Sequence, residues 1–123
     1  MMNLFAEGGW GMFPVLVFSL VLCVSAGRYA WEPVAARLRF IMAMSVLLVT
    51  AIGHAMLTNV AAVFAFVQDP ELAANDQLTR IVFTGLMEST RPGALGGALL
   101  VLSLVLVCVG VYREGRKELR LAA

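Results

Sequence analysis

Three stretches of this chain, residues 8–27, 40–68 and 92–112, contain no Asp, Glu, Lys or Arg. A hydrocarbon layer about 30 Å thick is crossed by roughly 20 apolar residues of helix rising about 1.5 Å each. Each stretch meets that length. Within lipid, a helix satisfies every backbone N–H and C=O inside its own segment, which makes it the simplest way across. A soluble three-helix core would need a polar outer face on each helix. A composition that is 61% hydrophobic and 14% charged, with the charges clustered, leaves no residues for such faces. The chain therefore reads as all-α, an integral membrane protein with three transmembrane helices at about residues 11–29, 40–67 and 92–112. No internal repeat or low-complexity tract divides it, so residues 1–123 form one membrane domain. The first stretch reads as a span rather than a cleavable signal, because Met1 to Trp10 carries Glu7 and no Lys or Arg.

The charges between the spans set an expected orientation. The first connection carries Arg28, Arg37 and Arg39 against Glu32, and the tail at 113–123 carries Arg113, Arg116, Lys117 and Arg120. The N-terminal flank has no basic residue, and the second connection sets Arg80 and Arg91 against Asp69, Glu71, Asp76 and Glu88. By the positive-inside rule the first connection and the tail lie in the cytoplasm, and the N-terminus lies outside. Trp10 would anchor the outer boundary, and Tyr29, Trp31 and Tyr112 the inner one. The second span is too long for a plain crossing and must tilt or protrude. Asp69-Pro70 ends it, and an amphipathic segment at 71–91 follows on the outer side, with Leu78, Ile81, Val82, Gly85 and Leu86 at helical spacing. Pro92-Gly93 is placed to kink its junction with the third span.

Small residues matter in lipid because they let helices approach closely. Ser19, Cys23 and Gly27 recur every fourth position, as do Ser89, Gly93 and Gly97, while Gly96, Ser103 and Gly110 recur every seventh. Such rows suit helix contacts within the chain or between copies of it, and they also suit the plain abundance of Gly in membrane helices. Thr50, His54 and Thr58 share one face of the second helix, with Asn59 beside it. His54 is the only histidine. An ionisable group within a span marks a pathway, a partner or a ligand, and a neutral histidine bonded to another helix is the structural alternative. Glu88 stands before the third span with Arg91 three residues on, which reads either as an interfacial ion pair or as a carboxylate at the mouth of an ion path. Cys23 and Cys108 lie within apolar stretches as packing residues. No metal site, cofactor site or nucleophile–base constellation is expected, and a net charge of +1 offers nothing to nucleic acid.

Two stretches together resemble the MotA/TolQ/ExbB proton-channel family. Phe5-Ala6-Glu7-Gly8-Gly9-Trp10-Gly11-Met12-Phe13-Pro14-Val15-Leu16 is similar to the family's opening, where Gly-Gly, Met and Pro introduce the first helix. Gly85-Leu86-Met87-Glu88 through Gly96 to the basic tail after Tyr112 resembles its third helix, with a Gly-Ile-x-Glu run, a later glycine and an Arg-rich exit. Thr58-Asn59-Val60 ending in Phe66 is similar to its Gly-Thr-Val…Phe segment. The chain departs from the family in having only residues 28–39 where a cytoplasmic domain stands, in Leu57 before Thr58, and in Gly93 at a threonine position.

The resemblance implies a subunit of the bacterial inner membrane that assembles as a homo-oligomer, a pentamer in the family, around a single-span partner. Glu88 and Thr58, with His54 from the residue reading, would line an ion pathway, and Ser19, Gly27, Gly93, Gly96 and Gly97 would pack helices. Two alternatives stand beside it: a non-conducting structural or accessory subunit, and a small transporter that uses His54.

Overall fold

The computed structural model describes residues 11–68 and 77–123. The opening motif up to Trp10 and the acids Asp69, Glu71 and Asp76 lie outside the described residues. Four α-helices and no strand occur among the described residues: α1 (Met12–Trp31), α2 (Ala35–Val67), α3 (Leu78–Ser89) and α4 (Arg91–Ala122). α3 and α4 meet at Thr90, which keeps helical torsions of φ −85° and ψ −13°, so the two run on as a 45-residue stretch from Leu78 to Ala122. The interruption falls where Pro92 opens α4, because proline has no N–H to return to the carbonyl of Glu88 one turn earlier. Three helical stretches are thus long and apolar enough to cross a membrane. Beyond Tyr112 the basic tail is no separate segment, since α4 continues through it to Ala122.

The turn between α1 and α2 follows from Pro33. It pushes Glu32 out of the helical region to φ −132° and ψ 93°, and Val34 stays extended until α2 begins at Ala35. Arg37 spans the turn, its Nη1 donating to both the carboxylate and the carbonyl of Glu32 at 3.0 Å.

A period of seven organises the packing. Met12, Val15, Ser19, Leu22, Ala26 and Tyr29 alternate steps of three and four along α1 and are all buried. Ile41, Leu48 and Ala55 repeat every seventh residue on α2, and Ser89, Gly96, Ser103 and Gly110 do so along α3 and α4. Seven residues in two turns hold one face toward a neighbour, as in left-handed helix bundles. α1 and α4 run in the same direction: a Cβ on Gly96 would lie 2.8 Å from Val15, and one on Gly110 would lie 2.5 Å from the Tyr29 ring. α2 runs opposite to both, with Ala55 facing Gly11 and Ile52 facing Gly96. Large apolar residues on the remaining faces point away from the protein, among them Val46 (68% exposed), Leu57 (71%) and Val101 (62%). In water such faces would be a severe liability; against acyl chains they are the expected surface.

The two ends of the bundle differ. At the Tyr29 end, the Tyr29 hydroxyl donates to Glu114 Oε2 at 2.9 Å, and Arg113 Nη1 donates to the carbonyl of Ala30 at 2.8 Å. The second bond satisfies one of the C-terminal carbonyls that α1 leaves without a helical partner. At the Gly11 end α1 stops, while α2 continues from Ala55 to Val67 and α3 packs beside it, with Gly85 against Val63. That extension adds about 18 Å of helix at about 1.5 Å per residue.

Gly110→Ala is expected to lower stability by about 1–3 kcal/mol, because the new methyl meets the Tyr29 ring and the Tyr29 carbonyl oxygen. Gly115→Ala, with nothing within 4 Å of its new methyl, is expected to lose no stability. Denaturant unfolding of the two variants in the same detergent checks the contrast.

Candidate functional site

The extension of α2 and the short helix α3 enclose a groove of about 540 Å³ at the Gly11 end. Asn59, Ala62, Val63 and Phe66 form its α2 wall, and Gln77, Arg80, Ile81, Thr84, Gly85 and Glu88 are among the residues of the opposite wall. Arg80, Thr84 and Glu88 stand at i, i+4 and i+8, so they follow one line along α3. The groove is bounded by the close approach of α3 to α2, which Gly85 permits by leaving room for Val63.

Glu88 is partly buried and sits one turn before Pro92. Among the described residues its carboxylate has no hydrogen bond and no ion pair. The interfacial pair with Arg91 expected from their spacing is not formed; the ion pair found among the described residues is Arg37–Glu32 at 3.0 Å. Thr84 and Ser89, on either side of Glu88, turn their hydroxyls back to Arg80 and Gly85 carbonyls of their own helix. The local polar groups therefore leave the Glu88 carboxylate available to an outside partner.

Thr58 and His54 lie elsewhere. Neither lines the groove, and both are exposed on another face of α2, where Asn59 is the neighbour that turns inward. Thr50 and Thr58 donate to Val46 and His54 carbonyls in their own helix, at 2.9 and 3.0 Å. His54 has no side-chain partner among the described residues, so the bond to another helix that a buried neutral histidine would make is absent within one chain. His54 is near the middle of α2, but its neighbour Ala55 faces Gly11, which places it level with the beginning of α1. The cause is the unequal length of the helices, since α2 extends past α1.

The small residues divide into two groups. Ser19 is buried in the α1 seam, its hydroxyl bonded to the Val15 carbonyl at 2.6 Å. Gly96 is enclosed by Ile52 and Val15, and Gly93 faces Met56. Gly27 and Gly97 have open space where a Cβ would stand. Cys23 lies 3.1 Å from the Ser103 hydroxyl and belongs to the contact between α1 and α4. No group of three or more His, Cys, Asp or Glu side chains fit to hold a metal ion occurs among the described residues.

Reading the sequence for charge alone pointed to Glu88 but not to its groove. Arg80, Thr84 and Glu88 at helical spacing are the signal that could have found one wall; the opposite wall depends on which face α2 turns to α3. Compared with protein-family models, with curated proteins and with solved structures, the chain gives no match.

Because the Glu88 side chain makes no bond among the described residues, Glu88→Gln is expected to change stability by less than about 0.5 kcal/mol. Thermal unfolding in detergent, compared with the unsubstituted protein, checks this.

Proposed function

We propose that the protein is a subunit of an oligomeric, ion-driven membrane complex, with Glu88 as the carboxylate at the mouth of a proton path. The Gly11 end then faces the outside of the bacterial inner membrane and the basic Tyr29 end the cytoplasm, in keeping with the Arg and Lys distribution. The observation that carries the reading is a partly buried carboxylate, without a partner among the described residues, opening into a groove of mixed polar and apolar lining at the end of a membrane bundle. Intramembrane and interfacial ionisable groups persist where they move ions or meet partners.

Oligomerisation is supported by surfaces that a single chain leaves open. Beyond the start of α1, the α2–α3 extension exposes Phe64, Phe66, Phe83 and Met87. Lower on α2, His54 faces outward with no partner among the described residues. Further copies packed against these surfaces would cover the exposed apolar side chains. Assembly also offers a route by which His54 and Thr58 of one subunit come near the Glu88 groove of another. A single-span partner helix in the assembly would couple proton movement to work. One charge moving through 100 mV releases about 2.3 kcal/mol.

The separation of Glu88 from His54 and Thr58 within one chain favours a second reading, a non-conducting accessory subunit that assembles through the same surfaces. The two readings part in one experiment. In liposomes containing the assembled complex and its partner, the first expects proton flux that Glu88→Gln reduces at least tenfold without loss of assembly. Unchanged flux in that variant removes Glu88 from the path, and a monomer by native mass spectrometry removes the oligomeric complex altogether.

A further inference from the structure

A further cleft lies at the opposite end, between the last turns of α1 and the first turns of α2. It has a volume of about 380 Å³ and is lined by Ser25 and Arg28 from α1 and by Ala36, Arg37 and Phe40 from α2. Among the described residues no carboxylate lines it, although that of Glu32 pairs with Arg37 at 3.0 Å. We propose that this cleft binds the headgroup of an anionic phospholipid, with the phosphate between Arg28 and Arg37.

Three features converge on that ligand. The first is charge. Arg28 has no partner among the described residues, and Arg37 engages Glu32 through Nη1 alone, which leaves its Nε and Nη2 to an incoming oxygen. Two guanidinium groups facing one cleft match the paired oxygens of a phosphodiester.

The second is an unmet hydroxyl. Ser19, Ser45, Thr50, Thr58 and Ser103 each donate to a carbonyl of their own helix. That bond is the usual resting place for a hydroxyl in an apolar helix. Ser25 makes no such bond and has no partner among the described residues, although it stands in the cleft. Its hydroxyl is free to donate to a phosphate or glycerol oxygen.

The third is the gradient along the cleft. Ser25 precedes Arg28 by three residues on α1, and Phe40 follows Arg37 by three on α2. Because the helices are antiparallel, both Ser25 and Phe40 lie about one turn deeper toward the bundle than the arginines. The guanidinium groups are thus at the lip, a hydroxyl is below, and an aromatic ring continues into the apolar zone. A lipid has the same order: phosphate, glycerol, acyl chain. A basic pocket between membrane helices at the interface is a known class of lipid headgroup site. A zwitterionic headgroup would bring its own cation beside two arginines, so an anionic one is preferred.

The test uses the full chain purified in a neutral detergent and titrated with phosphatidylglycerol, with phosphatidylcholine or with inorganic phosphate, followed by native mass spectrometry. One phosphatidylglycerol per chain is expected, held at least fivefold more tightly than phosphatidylcholine. Arg28→Ala and Ser25→Ala should each weaken it, the arginine variant about fivefold, while Arg120→Ala in the exposed tail leaves it unchanged. Equal losses in Arg28→Ala and Arg120→Ala would mean diffuse attraction to a basic surface and overturn the site. Equal binding of phosphatidylcholine, or displacement of the lipid by equimolar phosphate, would overturn the ligand. Should Arg28→Ala fail to fold, Ser25→Ala decides: retention equal to that of the unsubstituted protein overturns the proposal.

Discussion

α4 can lie against α1 only because Gly96, Ser103 and Gly110 put almost nothing between them, and the rest of the bundle is arranged around that contact. Val15 and the Tyr29 ring occupy the space the two glycines leave, and Cys23 meets Ser103 between them. Lipid provides no hydrophobic drive for helices to associate, so van der Waals fit and short polar contacts must hold them. The close approach then brings the ends of α1 and α4 together, where the Tyr29–Glu114 and Arg113–Ala30 bonds form. α2 fills the remaining side with Ile41, Leu48 and Ala55. Ile52 of α2 reaches Gly96 as well, so one glycine serves two helices.

The number of membrane helices was legible because charge clustering and bilayer thickness are one-dimensional constraints. So was the seven-residue row on the third span, since small residues at constant spacing have a clear physical use. Which of the small residues face protein was not legible. Gly96 and Gly97 are adjacent and alike as residues, yet one is enclosed and the other meets open space. Only the rotation of α4 about its own axis distinguishes them, and that is set by neighbours distant in sequence. The same holds for Glu88. Spacing offered Arg91 as its partner, and among the described residues that pair does not form.

His54 illustrates a different limit. It lies near the middle of the second apolar stretch. In three dimensions depth is counted from where neighbouring helices begin and end, and α1 begins at His54's level. Among the described residues the bundle is therefore three helices at one end and α2 with α3 at the other, with some of the polar groups that lack partners there lying at or beyond the transition. Glu88 and His54 are both in this class, on different faces of the same end. Most hydroxyls of the described helices bond to their own backbone, so Glu88 and His54, like Ser25 and Arg28 at the opposite end, are groups through which another molecule would be felt.

The parallel pairing of α1 with α4 has a consequence for how the protein is made. These two helices are the most distant in sequence, and the bonds that close them join Tyr29 to Glu114 and Ala30 to Arg113. During synthesis α1 and α2 enter the membrane first, and they meet through a short turn. The face of α1 that carries Val15, Cys23 and Tyr29 must wait, open to lipid or to whatever protein shelters it, until α4 has been made. Closure of the bundle thus follows the insertion of α2 and α3, and emergence of α4 from the ribosome is the step that makes it possible.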